Sequence, residues 1–241
     1  MSHRRDQKER LRAERERRET DARAAAQRKR LIGVVAAAVL AVAAVVIVIV
    51  VAGGGGGGSG GKGVKGSGDL FPSGASIPKQ KVFDLPKAAA AASCQLTSNK
   101  ATSRSHITDI NAKVKYATNP PNSGKHYYVP ADDGLYPGTP PKDVQLVHNQ
   151  EHGRVIIWVK PTLPLEDRKK IRALFDEDRY QMVVVQRKDM PYALAATAWG
   201  KDPTPLGTGY SMGCAKWSDN VIDALRAFRD EHRSDGPEPI P

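Results

Sequence analysis

The sequence predicts an α/β domain, with α+β as the alternative, built on a small β-α-β-β-α sheet behind one N-terminal transmembrane helix. Three observations support this prediction. The second half of the chain contains short β-branched runs that alternate with amphipathic segments. The first half contains one long apolar run without charges. Between them, residues 94–150 are rich in Pro, Gly, Asn and Asp, which predicts a loop-rich region.

The three predicted strands are short apolar runs bounded by turn residues. They are RVIIWV at 154–159, QMVVVQ at 181–186 and YALAATAWG at 192–200. Because a helix separates the first two strands, a right-handed crossover would make them parallel. The third strand should then run antiparallel beside one of them.

The two predicted helices occupy residues 164–180 and 218–232, with Ser218 as the expected N-cap of the second helix. Apolar residues recur at helical spacing at Leu165, Ile171, Leu174 and Phe175 in one segment, and at Val221, Leu225 and Phe228 in the other. The element count is loosely thioredoxin-like, and Pro191 precedes the third strand. No C-x-x-C occurs, so thiol redox chemistry of that kind is not supported.

Residues 31–52, LIGVVAAAVLAVAAVVIVIVVA, contain no charged or strongly polar side chain. A helix needs roughly 20 residues to cross the hydrocarbon core of a bilayer, so this run predicts one crossing. A cleaved signal peptide is the alternative, although signal-peptide apolar regions are shorter, at roughly 7–15 residues. Basic residues precede the run and a glycine-rich segment follows it, which predicts a cytoplasmic N-terminus and a C-terminal part outside the cell membrane.

The remaining boundaries follow from composition. Residues 1–30 form a basic cytoplasmic tail that contains twelve Lys/Arg and six Asp/Glu. Residues 53–93 are a Gly/Ser/Pro-rich flexible linker, and residues 94–241 form the extracytoplasmic globular domain. The net charge of +11 is concentrated beside the apolar run rather than spread over a folded face. We therefore expect the lipid bilayer as a partner and no nucleic acid.

Cys94 and Cys214 are the two cysteines of the chain, and both lie on the predicted outer side. That compartment permits disulfides, which favours a bond between them. Free thiols, or one thiol that binds a metal, are the alternatives.

Four histidines fall in the loop-rich half: His106, His126, His148 and His152. The stretch HNQEHG at 148–153 matches H-x-x-E-H, the zinc signature of the inverted zincin peptidases. That motif requires a helix. Here Gly153 and a strand follow the motif directly, and the segment before it is short and contains β-branched residues, which disfavours a helix. We therefore expect a tight turn or a single helical turn that ends at Gly153, with Glu151 as a partner of a histidine rather than a general base.

Two interpretations of these histidines stay open. A copper or zinc site would use His126, His148, His152 and His106, and Met212 would tilt the choice toward copper. In the structural alternative, each imidazole bonds a backbone carbonyl or a carboxylate and holds the loops together. His232 lies at the polar end of the last helix, where a cation would offset the helix dipole, so we expect it to be structural.

The ordered set PPNSGKH, GLYP, LVHNQEHGRVIIWV, ATAWG and DGPE resembles a family of mostly actinobacterial membrane-anchored proteins, a domain of unknown function, family 3105. The resemblance covers roughly residues 94–238. It implies one membrane helix followed by an extracytoplasmic domain, and no particular activity.

No serine-hydrolase elbow, phosphate loop or dinucleotide fingerprint occurs. We therefore expect a non-catalytic binding or cell-envelope protein that carries a histidine cluster. The alternative is a copper- or zinc-binding extracytoplasmic protein, and the most remote alternative is an H-x-x-E-H metallopeptidase.

Overall fold

The computed structural model describes residues 69–203 and 205–238. The predicted transmembrane helix at 31–52, the basic tail and the glycine-rich part of the linker lie outside these residues. Within the described ranges, every helix is too short or too polar to span a membrane.

The described part contains four helices and eight strands. The helices are α1 (Leu85–Ala91), α2 (Asp143–Glu151), α3 (Leu165–Glu177) and α4 (Val221–His232). The strands are β1 (Cys94–Lys100), β2 (His106–Ile107), β3 (His126–Tyr127), β4 (Gly134–Leu135), β5 (Val155–Val159), β6 (Met182–Gln186), β7 (Leu194–Gly200) and β8 (Thr208–Cys214).

Six strands form one mixed sheet in the order β1-β8-β7-β5-β6-β4. The predicted pairing is confirmed, since β5 runs parallel to β6 and antiparallel to β7. Strands β8 and β1 extend the sheet by antiparallel pairing, whereas β4 pairs parallel with β6. The sequence did not predict β1, β4 or β8. Strands β2 and β3 form a separate parallel pair.

Both faces of the central strands are covered, because all five residues of β5 are buried. Val155, Ile157 and Val159 face a core built with α1, α3 and α4. Ile156 and Trp158 face the opposite side, where Leu146 of α2 packs against them. Helix α2 therefore lies on the sheet face opposite the other three helices.

The predicted linker is wrong for residues 69–93, which pack on the domain. Phe71 is fully buried, and α1 places Leu85, Ala88 and Ala89 in the main core. The alanine run is a helix because Asp84 caps it, accepting a hydrogen bond from the Lys87 N–H at 3.0 Å.

The disulfide between Cys94 and Cys214 is confirmed. The two cysteines are directly opposed partners of β1 and β8. The bond therefore ties the first strand of the described domain to a strand 120 residues later in the chain.

Candidate metal centre

Helix α2 carries three of the predicted site residues at its C-terminal end. His148 and Glu151 lie in its last turn, and His152 is its C-cap. The prediction of a single turn is wrong, since the helix has nine residues. It forms despite its β-branched residues because seven of its nine side chains are buried, so tertiary packing outweighs intrinsic propensity.

Gly153 ends this helix as expected, with φ +79°. Its N–H donates to the Gln150 carbonyl, and the chain then enters β5. The reversal holds His148, Glu151 and His152 at the end of α2, which packs against β3.

Three imidazole rings meet beside this helix end. His106 and His126 are direct partners in the β2–β3 pair, and their ring centroids lie 4.6 Å apart. The His148 ring lies 4.9 Å from that of His106 and 4.8 Å from that of His126. His126 and His148 are buried, whereas 45% of the His106 side chain is exposed.

Backbone carbonyls orient the two buried rings. His126 Nδ1 lies 2.8 Å from the Gly124 oxygen, and His148 Nδ1 lies 2.7 Å from the Tyr127 oxygen. A carbonyl oxygen only accepts, so each Nδ1 carries a proton, and each Nε2 faces the cluster instead. Metal-binding histidines are oriented in the same way, through the ring nitrogen that does not bind the ion.

Glu151 faces these rings from inside the domain, with only 1% of its side chain exposed. Its Oε2 lies 2.8 Å from His126 Nε2 and 3.7 Å from His106 Nε2. Two such atoms 2.8 Å apart are held together by a proton or a cation between them. Both atoms are buried, and neither makes a well-aligned hydrogen bond within the described structure.

Arg104 holds the other carboxylate oxygen, since its Nε donates to Glu151 Oε1 at 2.7 Å. Burial by itself would raise the pKa of Glu151. The close contact with His126 and the ion pair with Arg104 outweigh burial and lower that pKa to about 2. Glu151 is therefore a carboxylate at neutral pH.

His152 lies at the rim of the cluster, where its Nε2 is 3.0 Å from His148 Nε2. Burial, and to a smaller extent the neighbouring histidines, lower the pKa of both rings to about 4. Both imidazoles are therefore neutral at pH 7, which is the state that binds metals. His152 also lies near Glu151 and Glu238, with one donor atom of each within 4.8 Å of the others.

The donor atoms of His106, His126, His148 and Glu151 all lie within 4.8 Å of one another. Zn–N and Zn–O bonds of about 2.0–2.2 Å place two ligands of a tetrahedral ion roughly 3.4 Å apart. Side-chain shifts of roughly one ångström would therefore seat an ion among these four atoms.

The structure brings together all four predicted histidines, and it places Glu151 among the donors rather than behind them. Met212 is fully buried in the main core, so the prediction that it supplies a soft ligand is wrong. Sequence reasoning missed Arg104 and Glu238. Arg104 belongs to no motif, and Glu238 ends the DGPE motif without being marked there as a site residue. Only the tertiary fold brings them to the cluster.

These features define a mixed α/β domain with a buried histidine–carboxylate cluster at a helix end. The family model described as "Protein of unknown function (DUF3105)" matches residues 106–240, more than half of the chain, so the protein belongs to that family. No curated protein matches the chain. No solved structure matches it either.

Proposed function

We propose that this chain binds a divalent transition metal, with zinc as the first candidate, through His106, His126, His148 and Glu151. The observation that carries the proposal is the pair of buried imidazoles. Each donates Nδ1–H to a backbone carbonyl, so its Nε2 faces the cluster, where an ion would replace the His126–Glu151 and His148–His152 contacts. The buried rings thus have the orientation that a metal requires.

The donor set favours zinc or Cu(II) over Cu(I). Three imidazole nitrogens and a carboxylate oxygen suit divalent ions, whereas Cu(I) favours thiolate or thioether sulfur. Both cysteines are in the disulfide, and Met212 is in the core, so no sulfur of the described residues belongs to the cluster.

Two competing functions make different predictions. A binding domain that uses the cluster only as a loop anchor would keep His126 protonated and paired with Glu151. A metallopeptidase would use Glu151 to activate water, yet Arg104 and His126 already bind its two oxygens within a buried environment. We therefore propose metal binding without peptidase activity.

We further propose that residues 31–52 anchor the chain and that the domain lies outside the membrane. The uniform apolarity of that run and the basic flank before it support this location. The Cys94–Cys214 disulfide is consistent with it, because disulfides persist in oxidising compartments. We also propose that the sheet is loosely thioredoxin-like in the order of its elements.

The test is metal analysis of the full-length chain, purified in neutral detergent without a polyhistidine tag. After chelator treatment and dialysis against zinc, we expect one zinc per wild-type chain. Because His126 and His148 each supply a buried donor, His126→Ala and His148→Ala should each weaken zinc binding by at least about 100-fold.

The matched control is His232→Phe, which removes a buried imidazole outside the cluster and should leave zinc binding unchanged. Equal zinc content in wild type and His126→Ala would refute the metal site. Zinc-dependent peptide hydrolysis that disappears in Glu151→Gln would instead establish the peptidase.

A further inference from the structure

Most of the charges around the cluster are already paired before a metal binds. Glu151 is paired with Arg104, whose Nη2 also lies 3.6 Å from Glu238 Oε2. Arg154, which acts electrostatically on His152, is paired with Asp133 at 3.2 Å. The imidazoles are neutral when they bind a metal. The three carboxylates and two guanidinium groups around the rings therefore sum to one negative charge, left by Glu238.

A divalent ion would change this balance to a net charge of +1. The excess would lie beside His126, His148 and Glu151, which are at most 4% exposed. An uncompensated charge in such surroundings is costly, because little water is present to solvate it. Arg104 is the cause of the excess, since it already neutralises the carboxylate that would otherwise offset the metal.

The cluster has one open side on which a further ligand can approach. His106 presents 45% of its side chain to solvent, and Arg104 presents 33% of its own. Arg104 uses Nε for Glu151, so other guanidinium N–H groups remain for an incoming anion. Both residues belong to the same stretch of chain.

The surrounding stretch of chain is also electropositive. Residues 100–128 contain five Lys/Arg and one Asp, whereas residues 69–238 as a whole contain 23 Lys/Arg and 20 Asp/Glu. The positive excess of the described domain is thus concentrated around β2 and β3. Such a field raises the local concentration of anions.

We propose that the metal centre takes an anionic oxygen ligand from solution, a carboxylate or a phosphate group, and that Arg104 is its second contact. This inference rests on the proposed metal site. The anion supplies the missing negative charge at the metal, and the guanidinium binds it from the solvent side. Arg104 is a positioning residue in this arrangement, and it also makes the centre selective for anions over neutral ligands.

The experiment uses Co(II), whose visible absorption reports its ligands, in place of zinc in the full-length chain. The Co(II)-loaded protein is titrated with sodium acetate, and separately with inorganic phosphate, at constant ionic strength set by perchlorate. We expect a saturable change in the Co(II) bands with at least one anion, and the two titrations distinguish carboxylate from phosphate.

Arg104→Gln should weaken anion binding roughly tenfold, as expected for the loss of one charge-assisted hydrogen bond. Arg104→Lys keeps the charge and should retain most of the affinity. Lys125→Gln removes an exposed positive charge from the neighbouring loop and serves as the matched control, with less than a twofold effect expected.

The outcomes separate this inference from the proposed function. Absence of protein-bound Co(II) bands would refute the metal site itself. Bound Co(II) with bands that neither anion alters would leave the metal site intact and overturn the anion site. An equal loss of anion affinity in Arg104→Gln and Lys125→Gln would also overturn it, because the effect would then be a general one of charge.

Discussion

Gly236 packs directly on the backbone of Gly153, so closely that a Cβ on Gly236 would lie 2.3 Å from the Gly153 nitrogen and 2.3 Å from the Glu151 oxygen. The contact is continued by two hydrogen bonds, from Ser234 N–H to the Gly153 oxygen and from Glu238 N–H to the Glu151 oxygen. The C-terminal segment therefore closes over the helix end that carries the candidate metal centre.

Gly153→Ala should destabilise the domain by roughly 2–4 kcal/mol, measured by urea unfolding. The residue has φ +79°, which costs an L-residue about 1–2 kcal/mol, and its new Cβ would lie 2.9 Å from Ser234 Cα. Gly138→Ala is the matched control, because nothing lies within 4 Å of a Cβ there. A Gly153→Ala variant as stable as Gly138→Ala would contradict this account of the turn.

Loss of the Cys94–Cys214 bond should destabilise the domain by up to about 4–5 kcal/mol, the chain-entropy value for a loop of this size. The bond also fastens β1, an edge strand with mostly exposed side chains. A Cys94→Ser/Cys214→Ser double variant should show the loss in urea unfolding. Thiol titration of the denatured, unreduced wild type should find no free thiol, and two reactive thiols would rule the bond out.

Acid should destabilise the domain through His232. The sequence predicted a cation at this helix end, but burial between Tyr210 and Phe228 lowers the pKa of His232 from 6.5 to about 4. Between these values the unfolded chain binds a proton that the folded chain does not. The stabilisation is therefore complete above pH 6.5 and is lost as the pH falls toward 4, by up to about 3 kcal/mol.

His232→Phe tests this assignment, because it keeps an aromatic ring against Tyr210 and Phe228 but removes the titrating group. Stability measured from pH 7 to pH 4 should fall less steeply in the variant than in wild type. His148 and His152 change stability in the same direction, so only the difference between the two curves reports His232. Parallel curves would show that His232 does not contribute.

The proposed membrane anchor predicts that alkaline carbonate leaves the full-length chain in the membrane fraction. Protease added to intact spheroplasts should degrade residues 53–241, while a reporter fused to the N-terminus stays protected. Release by carbonate, or a mature N-terminus near Gly53, would instead indicate a cleaved signal peptide. A variant that lacks residues 31–52 is the control for peripheral attachment.

Local sequence pattern predicted the elements whose own side chains specify them. Strand β5 is a β-branched run, and α3 and α4 have apolar residues at helical spacing, so each was found within a few residues of its ends. The exact N-cap of α4 is Asn220 rather than Ser218. The crossover helix between β5 and β6 was sufficient to predict their parallel pairing.

Helices α1 and α2 were not predicted because neither segment has apolar residues at amphipathic helical spacing. The alanine run of α1 carries no amphipathic signal, yet it fills the space between α4 and the sheet. Helix α2 has only nine residues, and it is stable because seven of its side chains are buried. Neither kind of burial is visible in a local window of sequence.

The sequence by itself determined which residues are chemically capable of forming the site: four histidines in a loop-rich region, with a carboxylate between two of them. Tertiary structure decided that three imidazoles and Glu151 share one space, because parallel pairing of β2 with β3 puts His106 beside His126, and α2 adds His148. It also brought Arg104 to Glu151 across 47 positions of the chain. The physical reason is that distances and charges between segments depend on how the sheet and α2 pack, whereas residue type and spacing describe each segment alone.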